Sequence, residues 1–230
     1  MNTSKRSRGI KIVDERSGQI KINGFEPICA KNFAQGEYLQ ALRTNQVVFA
    51  VGPAGTGKSY IATAYAAEQL YYKNINKIII TRPAVEAEES LGYLPGELDE
   101  KYAPYLTPVR DILEKLLGKT FVEYCLRMGN IEPVPIAYMR GRTFENAICI
   151  IDEAQNVTPG QMKLILSRIG ENCRYIIDGD ITQKDIRGNS GLNDAIDRLE
   201  GLKGVEVVHF LNEDIVRSDM CKRIIKAYSE

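Results

Sequence analysis

Eight consecutive residues, Gly52-Pro53-Ala54-Gly55-Thr56-Gly57-Lys58-Ser59, follow the apolar run Val47 to Val51 and open a stretch with helical patterning. The spacing G-x-x-x-x-G-K-S in that setting is a phosphate cradle, the P-loop. Its glycines let backbone N–H groups turn inward around an anion, and the following helix adds the positive end of its dipole. Lys58 is positioned to reach the β- and γ-phosphates of a nucleoside triphosphate, and Ser59 to offer its hydroxyl to Mg2+. These eight residues, with Tyr60 next in line, are the candidate nucleotide-binding set.

A second constellation is Ile148-Cys149-Ile150-Ile151-Asp152-Glu153, an apolar strand ending in two carboxylates. There Asp152 can hold Mg2+ through its water shell and Glu153 can polarise an attacking water as general base. An acidic strand end alone is a common solubilising device. Paired with a P-loop in one sheet, it favours hydrolysis of a triphosphate over its storage. A third segment, Asp178-Gly179-Asp180-Ile181-Thr182-Gln183, is by itself a turn signal, but Gln183 could sense the γ-phosphate or orient the water. Adenine is the expected base, because the chain has no N-K-x-D segment for guanine: Asn76-Lys77 runs into Ile78-Ile79.

The elements that must position these residues are legible from Val47 onward. Short β-branched runs near 47–51, 77–81, 147–151, 174–178 and 205–210 alternate with helical patterns near 58–72, 104–117, 160–169, 191–199 and 218–228. Four of these strands are nearly continuous apolar runs, which predicts a parallel sheet covered on both faces, with ligands beyond its carboxyl ends. Between 82 and 146 the rhythm fails. A Pro- and Glu-rich loop, helical stretches at 104–117 and 120–129, and Ile131-Glu132-Pro133-Val134-Pro135 read as an insertion. Residues 10–22 alternate around Arg16-Ser17-Gly18 as a small hairpin, so 1–30 is expected to be an appendage and 31–230 the main domain.

Composition excludes several classes of function. Thirty basic side chains cancel thirty acidic ones, leaving no overall field of the kind a strongly basic nucleic-acid binder carries. Charge is uneven locally: 5–21 is basic and 86–100 acidic, and the basic run reads as a solvated tail or a phosphate-contacting arm. Cys29, Cys125, Cys149, Cys173 and Cys221 lack C-x-x-C spacing and read as reduced thiols, and His209 is the only histidine, which leaves zinc without donors. No apolar stretch is long enough to span a bilayer, and Met1 to Gly9 lacks a signal-peptide core, so a cytoplasmic location is expected.

Five segments together resemble the PhoH family: Thr81-Arg82-Pro83-Ala84-Val85-Glu86-Ala87, Leu91-Gly92-Tyr93-Leu94-Pro95-Gly96, Ala137-Tyr138-Met139-Arg140-Gly141-Arg142-Thr143, Asp152-Glu153-Ala154-Gln155-Asn156 and Gly179-Asp180-Ile181-Thr182-Gln183. The likeness runs from about Phe33 to Tyr228. It implies a three-layer RecA-like core close to the first motor domain of superfamily 1 helicases, ATPase activity, a homo-oligomeric, hexameric ring with active sites at subunit interfaces, and a link to RNA metabolism and phosphate starvation. By the same resemblance Gln35, with Tyr38 three residues on, fits the glutamine that reads adenine. Arg82, Arg140, Arg142 and Arg217 lie in family motifs as candidate arginine fingers or nucleic-acid contacts, and the alternative is that they pair with Glu86, Glu88 or Glu145. Arg217 is carried forward as the catalytic candidate. This sequence departs from the family pattern at Glu88, where glycine is usual, at Ser59, where threonine is more common, and at Val216-Arg217-Ser218-Asp219, which lacks His-Pro after the arginine.

The sequence expectation is an α/β fold with a mostly parallel sheet, a small N-terminal hairpin and a helical insertion. The expected activity is Mg2+-dependent ATP hydrolysis by an oligomer coupled to RNA or single-stranded DNA. A small-molecule kinase is disfavoured, because a base positioned for water would waste ATP there. A nucleotide-gated scaffold that never turns over is the remaining alternative.

Overall fold

The computed structural model describes residues 12–13, 20–21, 25–83, 98–217 and 220, with side chains over 25–83, 106–217 and at 220. Strands β1 (Ile12–Val13) and β2 (Ile20–Lys21) pair antiparallel, Ile12 opposite Lys21, as the alternation around Gly18 predicts. The remaining strands are β3 (Val47–Val51), β4 (Lys77–Thr81), β5 (Ile131–Pro133), β6 (Ala147–Ile151), β7 (Arg174–Gly179) and β8 (Val205–His209). They form one sheet in the order β5-β4-β6-β7-β3-β8, every neighbouring pair parallel.

Helices α1 (Phe33–Thr44), α2 (Lys58–Tyr71), α3 (Leu98–Leu117), α4 (Lys119–Arg127), α5 (Pro159–Leu166) and α6 (Gly191–Leu199) cover the two faces. Because strand side chains alternate, the continuous apolar runs feed two separate cores. Val48, Ala50, Ile78, Ile80, Ile148, Ile150 and Ile176 pack with residues of α1 to α4. Phe49, Val51, Ile79, Cys149, Ile151, Tyr175 and Ile177 pack against α5, α6 and the turn at Met139. The result is the three-layer α/β architecture expected of a RecA-like P-loop domain, with β7 between the P-loop strand β3 and the acidic strand β6.

Two elements depart from the sequence expectation. Residues 131–133, read as part of an insertion, form the edge strand β5 beside β4, with Ile80 opposite Pro133. An edge position tolerates a proline because its missing N–H leaves no ladder bond broken. Helix α1 was not anticipated, although its buried residues Ala34, Gln35, Tyr38, Leu39 and Leu42 recur at helical spacing. Its start is fixed by Asn32, whose side chain accepts from the Gln35 N–H at 2.9 Å. The segment 84–97 and, apart from Met220, the helix expected at 218–228 lie outside the described residues.

Among the described residues no helix is long and apolar enough to cross a membrane. Ile150 is fully buried at the centre of β6. Truncating it to alanine should lower stability by roughly 2–5 kcal/mol, read as a lower urea midpoint, while Met128→Ala on the exposed end of α4 should stay within about 0.5 kcal/mol.

Candidate functional site

The loop from Gly52 to Gly57 leaves β3 and turns into α2. Gly55 and Gly57 have φ of 84° and 91°, a region that side chains disfavour. Close packing adds a second reason for glycine. A Cβ on Gly57 would sit 2.7 Å from Gln35 Nε2, one on Gly55 would run into the Arg217 side chain, and one on Gly52 would strike the Phe210 carbonyl. Lys58 Nζ donates to the Gly52 and Pro53 carbonyls at 2.7 and 2.9 Å, lying along the loop it serves. Burial pulls the lysine below its usual range, and the nearby Asp178 and Asp180 carboxylates oppose that shift.

Facing this loop is the end of β6. Asp152 is buried, and its Oδ1 accepts from the Ser59 hydroxyl at 2.9 Å. Burial raises the Asp152 pKa, and Arg82 opposes the rise. Arg82, at the end of β4, lies 3.5 Å from Asp152 and 3.1 Å from Glu153. Glu153 turns the chain with a φ of 54°, and Gln155 Nε2 donates to its carboxylate at 2.7 Å. Lys58, Ser59, Asp152, Glu153, Asp178 and Gln183 all line one cavity of about 250 Å³.

The donor set fits magnesium better than a softer ion. Among the described residues no group of three or more His, Cys, Asp or Glu side chains could cage a metal. One hydroxyl and one carboxylate at 2.9 Å suit a hard cation that keeps most of its waters and takes its remaining oxygens from phosphate. The glycine cradle and helix N-terminus likewise suit a polyphosphate.

The other sequence candidates are placed as follows. Gln35 is buried, its Nε2 donating to the Thr56 carbonyl at 2.7 Å and its Oε1 accepting from the Lys31 N–H at 2.8 Å, so its amide holds the P-loop backbone. Tyr60 is partly exposed at the cavity rim, and Arg217 lines the cavity against Gly55, anchored by the Val216 N–H to the Gly55 carbonyl at 3.0 Å. Arg140 does not line the cavity. Arg142 pairs with Glu132 at 2.7 Å and lies over the Phe144 ring. Among the described residues Arg82 pairs with Asp152 and Glu153, and Arg142 with Glu132, while Glu86 and Glu88 lie outside the described residues.

Sequence reasoning missed Asp178 as a site residue. The register sets Ile151 opposite Ile177, so Asp152 falls level with Asp178 on the neighbouring strand. Alternation along β6 and β7 sends both carboxylates to the α1–α2 face, and the tyrosine three residues after Gln35 was the available signal. Tyr38 donates to Asp178 Oδ1 at 2.7 Å, and both residues are fully enclosed. Burial, and then Asp152, push the Asp178 carboxyl up to about 7.

An unfolded aspartate ionises near pH 3.9, so the folded chain holds an extra proton between roughly pH 4 and 7. The stability this group contributes is present below about pH 4 and is lost as the pH rises through about 7. Asp178→Asn should flatten that slope and stabilise the nucleotide-free protein at pH 8 by up to a few kcal/mol. Urea denaturation of both proteins at pH 5 and pH 8 checks this, and equal differences at the two pH values would show that Asp178 titrates normally.

Comparison with known proteins bears on what carries this site. Protein PhoH of Escherichia coli (strain K12) is 54% identical over 207 residues, which are 88% of this chain and 58% of that protein. The PhoH-like protein of Bacillus subtilis (strain 168) is 47% identical over 205 residues, 88% of this chain and 64% of that one. The chain therefore spans about three-fifths of the length of these relatives. Among solved structures, the large terminase from a thermophilic bacteriophage aligns with a TM-score of 0.49 at 10% identity, over 87% of this chain and 50% of that one. The Pif1 helicase from Candida albicans aligns with a TM-score of 0.39 at 13% identity, over 80% and 40%. At such values the superpositions carry no weight, and the fold rests on the strand order above. The sequence pattern of the family described as PhoH-like protein matches residues 27–229, and the chain belongs to that family.

Proposed function

We propose that this chain binds Mg-ATP and hydrolyses it, as an oligomer acting on RNA or single-stranded DNA. The observation that carries the hydrolytic reading is the 2.9 Å contact between Ser59 Oγ and Asp152 Oδ1, which closes the P-loop and the acidic strand end around one cavity. Mg2+, when bound, would neutralise phosphate charge between Ser59 and the water shell held by Asp152.

The remaining work falls to the chain's own groups. The backbone N–H groups of Gly55 to Lys58 would wrap the β-phosphate, and Lys58 would exchange the Gly52 and Pro53 carbonyls for phosphate oxygens. Glu153 would accept a proton from the attacking water as the new P–O bond forms and the bond from the γ-phosphorus to its bridging oxygen breaks, with ADP leaving. Gln183 stands at the cavity wall, where it could orient that water. Arg217 lies beside the P-loop of its own chain, which favours a contact with phosphate in cis. Gln35 would have to exchange the Thr56 carbonyl for a base edge in order to read adenine.

The oligomeric and nucleic-acid parts of this reading come from family membership. Measuring mass in solution with and without ATP, and phosphate release with and without RNA or single-stranded DNA, tests both parts. A rate unaffected by either polymer at low and high salt would remove the nucleic-acid coupling.

For the chemistry itself, Lys58→Ala should abolish tight ATP binding or turnover. Glu153→Gln should keep ATP bound while kcat falls about 10²- to 10⁴-fold. Normal turnover by Glu153→Gln would eliminate Glu153 as the base.

A further inference from the structure

Gln155 has no part in the reaction as set out above, yet its side chain is among the most completely engaged in the site. It is 1% exposed. Its Nε2 donates to Glu153 Oε2 at 2.7 Å and to the Gln183 carbonyl at 3.3 Å, and its Oε1 accepts from the Asp180 N–H at 3.0 Å. Its own carbonyl accepts from the Ser190 hydroxyl at 2.9 Å. Gly179 permits this approach, because a Cβ there would lie 3.0 Å from Gln155 Oε1 and 3.1 Å from its backbone nitrogen.

The partners of this amide matter more than their number. Glu153 sits in a left-handed conformation that a residue with a side chain adopts at some energetic cost, and its carboxylate is held by a neighbour at each oxygen. Arg82 holds Oε1 toward β4, and Gln155 holds Oε2 toward the segment after β7. That segment touches the P-loop in turn, since Asp180 Oδ2 accepts from the Ala54 N–H at 3.1 Å. A neutral amide suits the position. It offers a donor to a carboxylate at one end and an acceptor to a buried N–H at the other, which neither a carboxylate nor an apolar side chain can do.

We propose that Gln155 is a positioning residue, fixing the Glu153 carboxylate in the cavity and tying its direction to the Asp180–Gln183 segment that contacts the P-loop. The inference rests on the reading of Glu153 as the base. Misdirecting a base by about an ångström can cost on the order of 10²-fold in rate while leaving the phosphate cradle untouched.

Two variants of the full chain test it, with kcat and the Kd for Mg-ATP measured separately and folding followed by near-ultraviolet circular dichroism. Gln155→Met keeps the volume and removes both hydrogen-bonding ends. Its kcat should fall about 10- to 100-fold while Kd stays within about threefold. Gln155→Glu keeps the acceptor for Asp180 but donates only when its carboxyl is protonated. Its rate relative to wild type should therefore climb as the pH is lowered from about 8 toward 5.

Wild-type kcat in Gln155→Met, or equal losses of kcat and affinity, overturns the inference, as does a Gln155→Glu rate ratio that is flat with pH. Should the methionine variant fail to fold, the pH dependence of the glutamate variant decides. A wild-type protein that binds ATP without releasing phosphate would instead overturn the reading of Glu153, so the two failures are distinguishable.

Discussion

Everything at the carboxyl end of this sheet follows from the insertion of β7 between β3 and β6. Neighbouring strands lie about 4.8 Å apart, so the P-loop strand and the acidic strand are separated by roughly 10 Å, the width of a hydrated cation with its phosphate partners. The Ser59–Asp152 hydrogen bond spans that gap from the helix that follows the loop. The same arrangement makes the end of β7 the floor of the site, and Asp178 stands there.

Placing a third acid on that floor has an electrostatic consequence. Asp152, Asp178 and Asp180 are buried and Glu153 stands beside them, with Lys58, Arg82 and Arg217 as basic side chains nearby. A cavity with four ionised carboxylates would repel a triphosphate. Asp178 relieves part of this by holding a proton up to about pH 7, because burial and Asp152 outweigh the Tyr38 hydrogen bond to its Oδ1, which favours the charged form. Arg82 relieves more of it by bridging Asp152 and Glu153. A divalent cation between Ser59 and Asp152 would relieve more of it, which would give the proposed Mg2+ dependence an electrostatic basis in addition to coordination.

The parts of this architecture that were legible in the sequence are those with strong local signatures. The P-loop combines a rare spacing with a strand before and a helix after it, and β3, β4, β6 and β7 are continuous β-branched runs whose bounds fall within one residue of those expected. What escaped depended on tertiary partners. Residues 131–133 are too short and too rich in proline to signal a strand, and only the edge of β4 makes them one. Helix α1 buries Gln35 beside alanines and a tyrosine, so its inner face reads as weakly apolar. Arg82 finds Glu153 at a separation of 71 positions, and Arg142 finds Glu132 on the unforeseen strand β5, so no local spacing announces either pair.

The short turn Ala154–Asn156 shows why residues flanking a recognised motif can matter as much as the motif. Gln155 binds Asp180 and Gln183, while Asn156 exchanges two hydrogen bonds with Asp185, its Nδ2 donating to the carboxylate at 3.2 Å and its Oδ1 accepting from the backbone N–H at 2.8 Å. Two adjacent amides thus grip the loop after β7 at both ends, and the carboxylate of Asp180 reaches the P-loop. Movement of the P-loop on filling its phosphate cradle would be felt at Asp180, and through Gln155 at Glu153. Conversely, a force applied to the exposed stretch Ile181–Gly188 would enter the site by the same bonds. The coupling needs no large rearrangement, because each link from Ala54 through Asp180 and Gln155 to Glu153 is a direct hydrogen bond between buried or partly buried groups.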